Sequence, residues 1–392
     1  MMRTIKIFFL LLSFATLLWR CKQKYISPYV SPPTGYLVVE GYIAGNGPTQ
    51  FSLSRTLALP GDSAVPAEIN AKLQVEGDDN SVYPLNEQGN GAYGINALPL
   101  HIASKYRLRI RTADGEEYLS DLVAFKPAPP IDSINWTNDA TGIAIYANTH
   151  DPANATRYYQ WKYVETWEYN SAEGSSFEYR TDIDPPDVVP RTPERETDRC
   201  WHTTASSTIF LASSEKLAQD LISLYPLTHL PANSQVTSVL YSLSVSQYAL
   251  TKDAYDFLAL VQKNSGSLGS LFDVQPSELN GNIHCLSHPG QQVVGFISAG
   301  TVQQQRIFIS RSQITSNYAV YCPAPDIVVA LAADSLKKYF GHDPTDPNRI
   351  NYTPILKHFT NGRHDGWISN ASTCVDCTLQ GGSNQKPSFW PN

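Results

Sequence analysis

Apolar and polar residues alternate along most of this chain, in short stretches separated by turn-forming residues. Tyr36-Leu-Val-Val-Glu-Gly-Tyr-Ile43 is rich in β-branched and aromatic residues and runs into Gly45-Asn-Gly47, a strand followed by a turn. Strand patterns recur at 50–55, 71–76, 81–85, 92–95, 106–112 and 118–124, with turns at Asp78-Asp-Asn80, Gly89-Asn-Gly91 and Asp114-Gly115. Arg107-Leu-Arg-Ile-Arg111 alternates as a half-buried strand does. About seven short strands in about 90 residues is the spacing of a β-sandwich. Lys126-Pro-Ala-Pro-Pro130 is too proline-dense for a sheet and marks a domain boundary.

Beyond it the pattern predicts a second β-domain over 127–392. Tyr158 to Tyr169 reads as one long aromatic strand, with Tyr159, Trp161, Tyr163 and Glu165 on one face. Residues 170–199 then lose periodicity and read as a long polar loop. Two helices follow, near 213–225 (stripe Leu217, Leu221, Leu224) and 251–265 (capped by Thr251, with Tyr255, Leu258 and Val261 buried). Val293–Ala299 and Arg306–Arg311 are expected to pair and close the sheet, and a short helix is expected near Ala332–Phe340. The predicted fold is mainly β: two immunoglobulin/fibronectin-like β-sandwich domains in tandem, 36–126 and 127–392, the second with a helical insertion.

The amino terminus is of another kind. Arg3 and Lys6 precede an uncharged run, Ile7 to Trp19, which falls short of the about 20 apolar residues a membrane-spanning helix needs. That is the layout of a signal peptide, here 1–20. Cys21 stands where bacterial lipoproteins carry their acylated cysteine, and Leu18 fits the position three before it. Arg20 departs from the small residue usual just before the cut, but no A-x-A-like site competes. The expectation is lipidation at Cys21 followed by a polar tether over 21–35, with two or more acyl chains giving a stable membrane anchor.

The formal net charge of −7 and the absence of a Lys/Arg cluster argue against nucleic acid as a partner. Tyrosine (22) and tryptophan (7) far outnumber methionine (2), a composition that suits exported β-proteins and aromatic binding surfaces. Five cysteines remain beyond Cys21: Cys200, Cys285, Cys322, Cys374 and Cys377. In an oxidising compartment one or two bridges are expected, and the odd number leaves at least one thiol unpaired within the chain.

Leu37-Val-Val-Glu-Gly-Tyr-Ile43, Leu53-Ser-Arg-Thr56, Tyr106-Arg-Leu-Arg-Ile110, Pro130-Ile-Asp-Ser-Ile134, Trp161-Lys-Tyr-Val-Glu-Thr-Trp-Glu168, Tyr241 to Tyr248 and the ending from Cys374-Val-Asp-Cys377 to Pro387-Ser-Phe-Trp390 occur in one order. Together they resemble the Bacteroidota lipoprotein family known as domain of unknown function 4249. The resemblance implies an outer-membrane lipoprotein, often encoded beside a TonB-dependent transporter. It supplies no catalytic residues.

Candidate chemistry is sparse. His284, Cys285 and His288 with Cys374-x-x-Cys377 have the residue types of a tetrahedral zinc site, but one CxxC in an exported protein more simply joins disulfides. No G-x-S-x-G elbow, H-E-x-x-H helix or phosphate loop occurs. The expectation is therefore a binding protein without cofactor or metal. Its contact residues are placed at Trp167 and Tyr169, at the root of the 170–199 loop, whereas Trp161 and Tyr163 are assigned to the core. The first reading is an accessory that docks on a TonB-dependent outer-membrane transporter. A structural or adhesive surface module without a transporter is the alternative, and a zinc enzyme a third. Cys21-Lys-Gln-Lys24 is basic, so the surface face of the outer membrane is favoured over the periplasmic one only modestly.

Overall fold

The computed structural model describes residues 35–57, 65–266, 279–314, 318–341 and 351–391. The expected signal peptide, Cys21 and tether residues up to 34 lie outside the described residues. The fold is mainly β. Its strands begin with β1 (Leu37–Ala44), β2 (Thr49–Arg55), β3 (Lys72–Gly77), β4 (Val82–Gly89), β5 (Ala92–Ile95), β6 (Lys105–Arg111), β7 (Glu117–Ser120) and β8 (Val123–Lys126). They continue with β9 (Ile131–Asp139), β10 (Gly142–Asp151), β11 (Tyr158–Asn170), β12 (Phe177–Arg180), β13 (Asp187–Pro190), β14 (Arg199–Ala205), β15 (Phe210–Ser213), β16 (Asp220–Pro231) and β17 (Leu240–Ala249). The helix Lys252–Gly266 precedes β18 (Ile283–Cys285), β19 (Ala299–Gly300), β20 (Val302–Ser310) and β21 (Asp326–Val328). A short helix, Ala333–Phe340, then leads to β22 (Tyr352–Thr360) and β23 (Arg363–Ala371).

In β6 the alternation read from the sequence is realised: Tyr106, Leu108 and Ile110 are buried, while Arg107 and Arg109 point outward. The expected N-terminal sandwich, however, is a closed barrel of eight strands. Its order is β6-β3-β4-β5-β2-β1-β19-β8, and β8 returns to β6. The closing strand explains the difference. β19 arrives from far along the chain and lies parallel between β1 and β8, with Ile43 opposite Ala299 and Ala299 opposite Phe125. No pattern within 36–126 could show a strand that 36–126 does not contain. Closure removes the two edges that would otherwise stand open. Gly300 permits it: a Cβ there would lie 1.9 Å from the Lys126 carbonyl oxygen and 2.4 Å from the Tyr42 hydroxyl.

On the barrel's outer face Arg107 and Arg109 approach Glu76 with Nε–O distances of 2.7 and 2.6 Å. Burial raises the Glu76 carboxyl, but hydrogen bonds from Arg109, Gln74 and Arg107 outweigh it and bring the pKa to about 2. A carboxylate depressed in the folded state adds stability above its unfolded pKa, and that contribution disappears as pH falls towards the folded value. Glu76→Gln is therefore expected to be less stable than wild type at pH 7. The gap should close between about pH 4.5 and 2 in urea melts. A gap unchanged at pH 2 would contradict this cluster's role.

The second unit pairs two antiparallel sheets, β16-β10-β9 and β14-β11-β17-β20, with β15 beside β11. Ile143 and Ile145 of one meet Tyr159, Trp161, Tyr241 and Val245 of the other in a common core. Trp161 donates its indole N–H to buried Gln247, which in turn donates to the Pro129 carbonyl and the Thr149 hydroxyl. The proline cluster is thus strapped down, with Ala128 bonded to Thr301 and Gln303 as well.

Two expectations fail here for physical reasons. The helix near 213–225 is instead a turn leading into β16, which pairs with β10. Leu217, Leu221 and Leu224 face solvent, and Ile222, Leu227 and Leu230 are buried in their place. The leucine spacing imitated a helical stripe, but Asp220, held by the Tyr159 and Ser214 hydroxyls, fixes the strand's start. Val293–Ala299 does not pair with Arg306–Arg311 either. Val293, Ile297 and Ala299 enter the barrel core, whereas β20 pairs with β17. The second helix is present and capped by Thr251, with Ala254 and Phe257 more deeply buried than the expected Tyr255, Leu258 and Val261. The short helix near 332–340 is also found, at Ala333–Phe340. Among the described residues no helix is long and apolar enough to cross a membrane.

Candidate functional site

The segment 170–199 is where the sequence offered no periodicity, and the structure gives it a defined fold. Phe177-Glu-Tyr-Arg180 and Asp187-Val-Val-Pro190 form a hairpin, with Phe177 opposite Pro190 and Arg180 opposite Asp187. Its strand-forming residues, separated by Asp184-Pro-Pro186, were a legible hairpin signal hidden among charges. The hairpin packs on the sheet β21-β23-β22, where Val188 joins Val328, Leu336, Phe340 and Trp367 in a third core. Ser175 donates to the Pro354 carbonyl at 2.5 Å, and the Glu173 amide to the Cys374 carbonyl at 3.1 Å. The expected loose loop is therefore corrected to an ordered wall.

Between hairpin, β22 and the C-terminal tail lies a cleft of about 630 Å³. Tyr179, Phe340, Tyr352 and Leu379 give it apolar surface, and Glu178, Arg191, Glu194, Arg195 and Asp376 give it charge. Arg195 pairs with buried Glu178 at 2.6 Å. Arg191 donates to the Arg195 carbonyl at 2.8 Å and to the Thr197 hydroxyl at 2.7 Å, so it braces the turn below the hairpin. Its Nε is buried without a hydrogen-bond partner. Burial pushes the Tyr179 phenol up from its ordinary pKa, and Asp187 adds to the shift, so it stays a neutral donor. Glu194 is held below the usual carboxylate range by its own backbone amide and by Thr192. The cleft thus presents aromatic surface beside fixed donors and acceptors, which suits recognition of a polar segment. Among the described residues no nucleophile–base pair lines it.

The residues singled out from sequence fall elsewhere. Tyr169 is 1% exposed, and its hydroxyl donates to the Cys377 carbonyl at 2.8 Å. Its assignment as a contact residue is corrected: the chain's own tail is its partner. Trp167 is partly buried and lies against His202, ring centres 4.4 Å apart. The tail continues along the sheet. Ser383 bridges to Trp201, and the Trp390 indole donates to buried Glu168 at 2.7 Å. Glu168 also accepts from Arg199 at 2.6 Å.

Four of the five cysteine candidates pair, Cys200 with Cys377 and Cys322 with Cys374. Cys285 remains a buried free thiol, the odd one the count required. Both members of the CxxC are thereby spent on distant partners. His284 contacts Asp121 at 3.0 Å and His288 contacts Glu116 at 3.3 Å. Among the described residues no three His, Cys, Asp or Glu side chains gather as a metal set.

A family model described as Domain of unknown function (DUF4249) matches residues 24–306, which span the barrel and the paired sheets. The chain belongs to the DUF4249 family. In this DUF4249 chain the cleft straddles the end of the match: the hairpin lies inside it, whereas β22, the CxxC and the tail lie beyond. No curated protein matches. Among solved structures a mutant Salmonella alpha-2-macroglobulin is similar at 13% identity, over 56% of this chain and 14% of its own, with a TM-score of 0.18. That score is too low to carry an argument about fold.

Proposed function

We propose that this chain is a lipid-anchored outer-membrane lipoprotein of the Bacteroidota that binds and does not catalyse. In this reading it is an accessory to a TonB-dependent transporter, and the cleft below the β12–β13 hairpin engages the partner. The observation that carries the reading is the hairpin itself. The hairpin's flanks are bonded to the C-terminal part of the chain, Glu173 to Cys374 and Ser175 to Pro354 on one side and Thr197 to Cys377 on the other, and the result is a concave surface of aromatic rings and oriented charges. Ordered connecting segments on rigid scaffolds tend to carry function. The paired sheets β16-β10-β9 and β14-β11-β17-β20 support an immunoglobulin- or fibronectin-like sandwich for the second domain, a scaffold suited to presenting such an insertion.

The partner is tested by affinity purification from detergent-solubilised outer membrane. Recovery of a TonB-dependent transporter is expected, and recovery of the protein without any transporter favours the structural or adhesive module. The anchor is tested separately. Cys21→Ser is expected to abolish fatty-acid labelling and move the protein from the membrane to the soluble fraction. Labelling that persists in the variant would refute acylation at Cys21.

A further inference from the structure

Cys374 and Cys377 stand three residues apart at the junction of the short helix Ser372–Val375 and the turn after it, yet each is bonded to a distant cysteine. The Cys200–Cys377 bridge spans 177 residues and the Cys322–Cys374 bridge 52. The four bridged cysteines are not equally buried. Cys200, Cys374 and Cys377 are buried, and only Cys322 is partly exposed. The Cys322–Cys374 bridge is therefore the one a reductant is expected to meet first.

We infer that the two bridges are coupled through the Cys374-Val-Asp-Cys377 turn, so that opening the exposed one passes to the buried one by thiol–disulfide exchange. The steps balance. A dithiol reductant attacks the Cys322 sulfur and expels the Cys374 thiolate, and the reductant's second thiol then releases Cys322 and closes the reductant's own disulfide. Two electrons have entered the protein. The Cys374 thiolate next attacks the Cys377 sulfur, a Cys374–Cys377 bond forms, and the Cys200 thiolate leaves and takes a proton. This last step needs no further electrons. One dithiol thus opens both long-range bridges.

Nearness along the chain favours the hand-over. Cys374 lies in the helix Ser372–Val375 and Cys377 opens the turn Cys377–Gln380, so only Val375 and Asp376 separate them along the chain, and a disulfide needs Cβ atoms about 3.5–4.5 Å apart. Asp376, between the two, has an extended backbone (φ −120, ψ 104), and the exchange turns on rotation at that residue. A four-residue ring also closes at far lower entropic cost than a long loop. The consequence reaches the cleft. Asp376 and Leu379 line it, and the tail that follows covers Tyr169 and pairs with Trp201, so exchange would loosen one wall and uncover the sheet. The coupling does not depend on what the cleft binds.

The test is a graded reduction of the full-length protein with dithiothreitol, quenched in acid, unfolded, alkylated and mapped by mass spectrometry. Cys285, a thiol in every species, is the labelling control. The expected principal single-bridge species carries Cys374–Cys377, with Cys200 and Cys322 alkylated. A second arm uses Cys322→Ser without reductant, where Cys374–Cys377 and an alkylated Cys200 are expected. Single-bridge molecules that keep Cys200–Cys377, with Cys374 alkylated, would overturn the coupling in either arm. Should the variant fail to fold, the wild-type titration decides alone.

Discussion

A fragment of residues 36–126 is expected to show no cooperative unfolding transition, although it contains seven of the barrel's eight strands. Without β19 the β1–β8 seam is open, and the core loses Ile283, Val293 and Ile297 along with Cys285 and Ala299. Burial of the three larger aliphatic side chains alone contributes roughly 5–9 kcal/mol. Whole domains are stable by only about 5–15 kcal/mol, so the loss is comparable to everything the fragment has. The seam can also be attacked in the intact chain. Gly300→Val sets a Cβ against the Lys126 backbone, which cannot swing aside as a side chain would, and is expected to cost about 3 kcal/mol or more. Gly47→Ala, where a Cβ meets open space, is the matched control and should be near neutral. A cooperative β-type melt from 36–126, or a Gly300→Val variant as stable as the control, would contradict the closed barrel.

Neighbouring aromatic residues of the tail should behave in opposite ways. Trp390→Ala is expected to destabilise the full-length protein by roughly 3 kcal/mol. It removes a buried ring packed on Phe308, and it takes from buried Glu168 one of its two donors. Phe389→Ala is expected to cost about 1 kcal/mol or less, because that ring is exposed and loses mainly its contact with the Arg306 guanidinium at 3.7 Å. Chemical denaturation of the two variants separates them. Equal effects would mean that the tail is not pinned through Trp390.

These contrasts mark how far the sequence was legible. Strands with strict alternation, such as Lys105–Arg111, and the helix opened by Thr251 follow from local pattern, because each buries one face next to its own chain neighbours. The odd-cysteine argument likewise anticipated that a thiol such as Cys285 would remain. What escaped depends on contacts between distant residues. β19 is two residues long and has no periodicity to read, yet it closes the barrel. Leu217, Leu221 and Leu224 kept helical spacing, but Leu217 sits in a turn closed on Ser214 and Leu221 in the strand paired with β10. Tyr169 looked like an exposed root because nothing local covers it, and its cover arrives with Cys377. The cleft was illegible for the same reason. Tyr179 and Arg191 meet Tyr352 and Asp376 only after the hairpin has docked on the C-terminal sheet.

The central claim is that the cleft, and not the buried aromatic root, is the recognition surface. It is tested most directly by Glu194→Lys combined with Leu379→Asp, two changes on the cleft rim. Glu194 is exposed and Leu379 is 56% exposed, so the fold should be disturbed by no more than about 0.5 kcal/mol. If the cleft carries the contact, affinity for the proposed transporter partner should fall roughly 30-fold, the equivalent of about 2 kcal/mol, while the thermal melt stays that of wild type. A double variant that melts normally and binds the proposed partner with wild-type affinity would contradict the account.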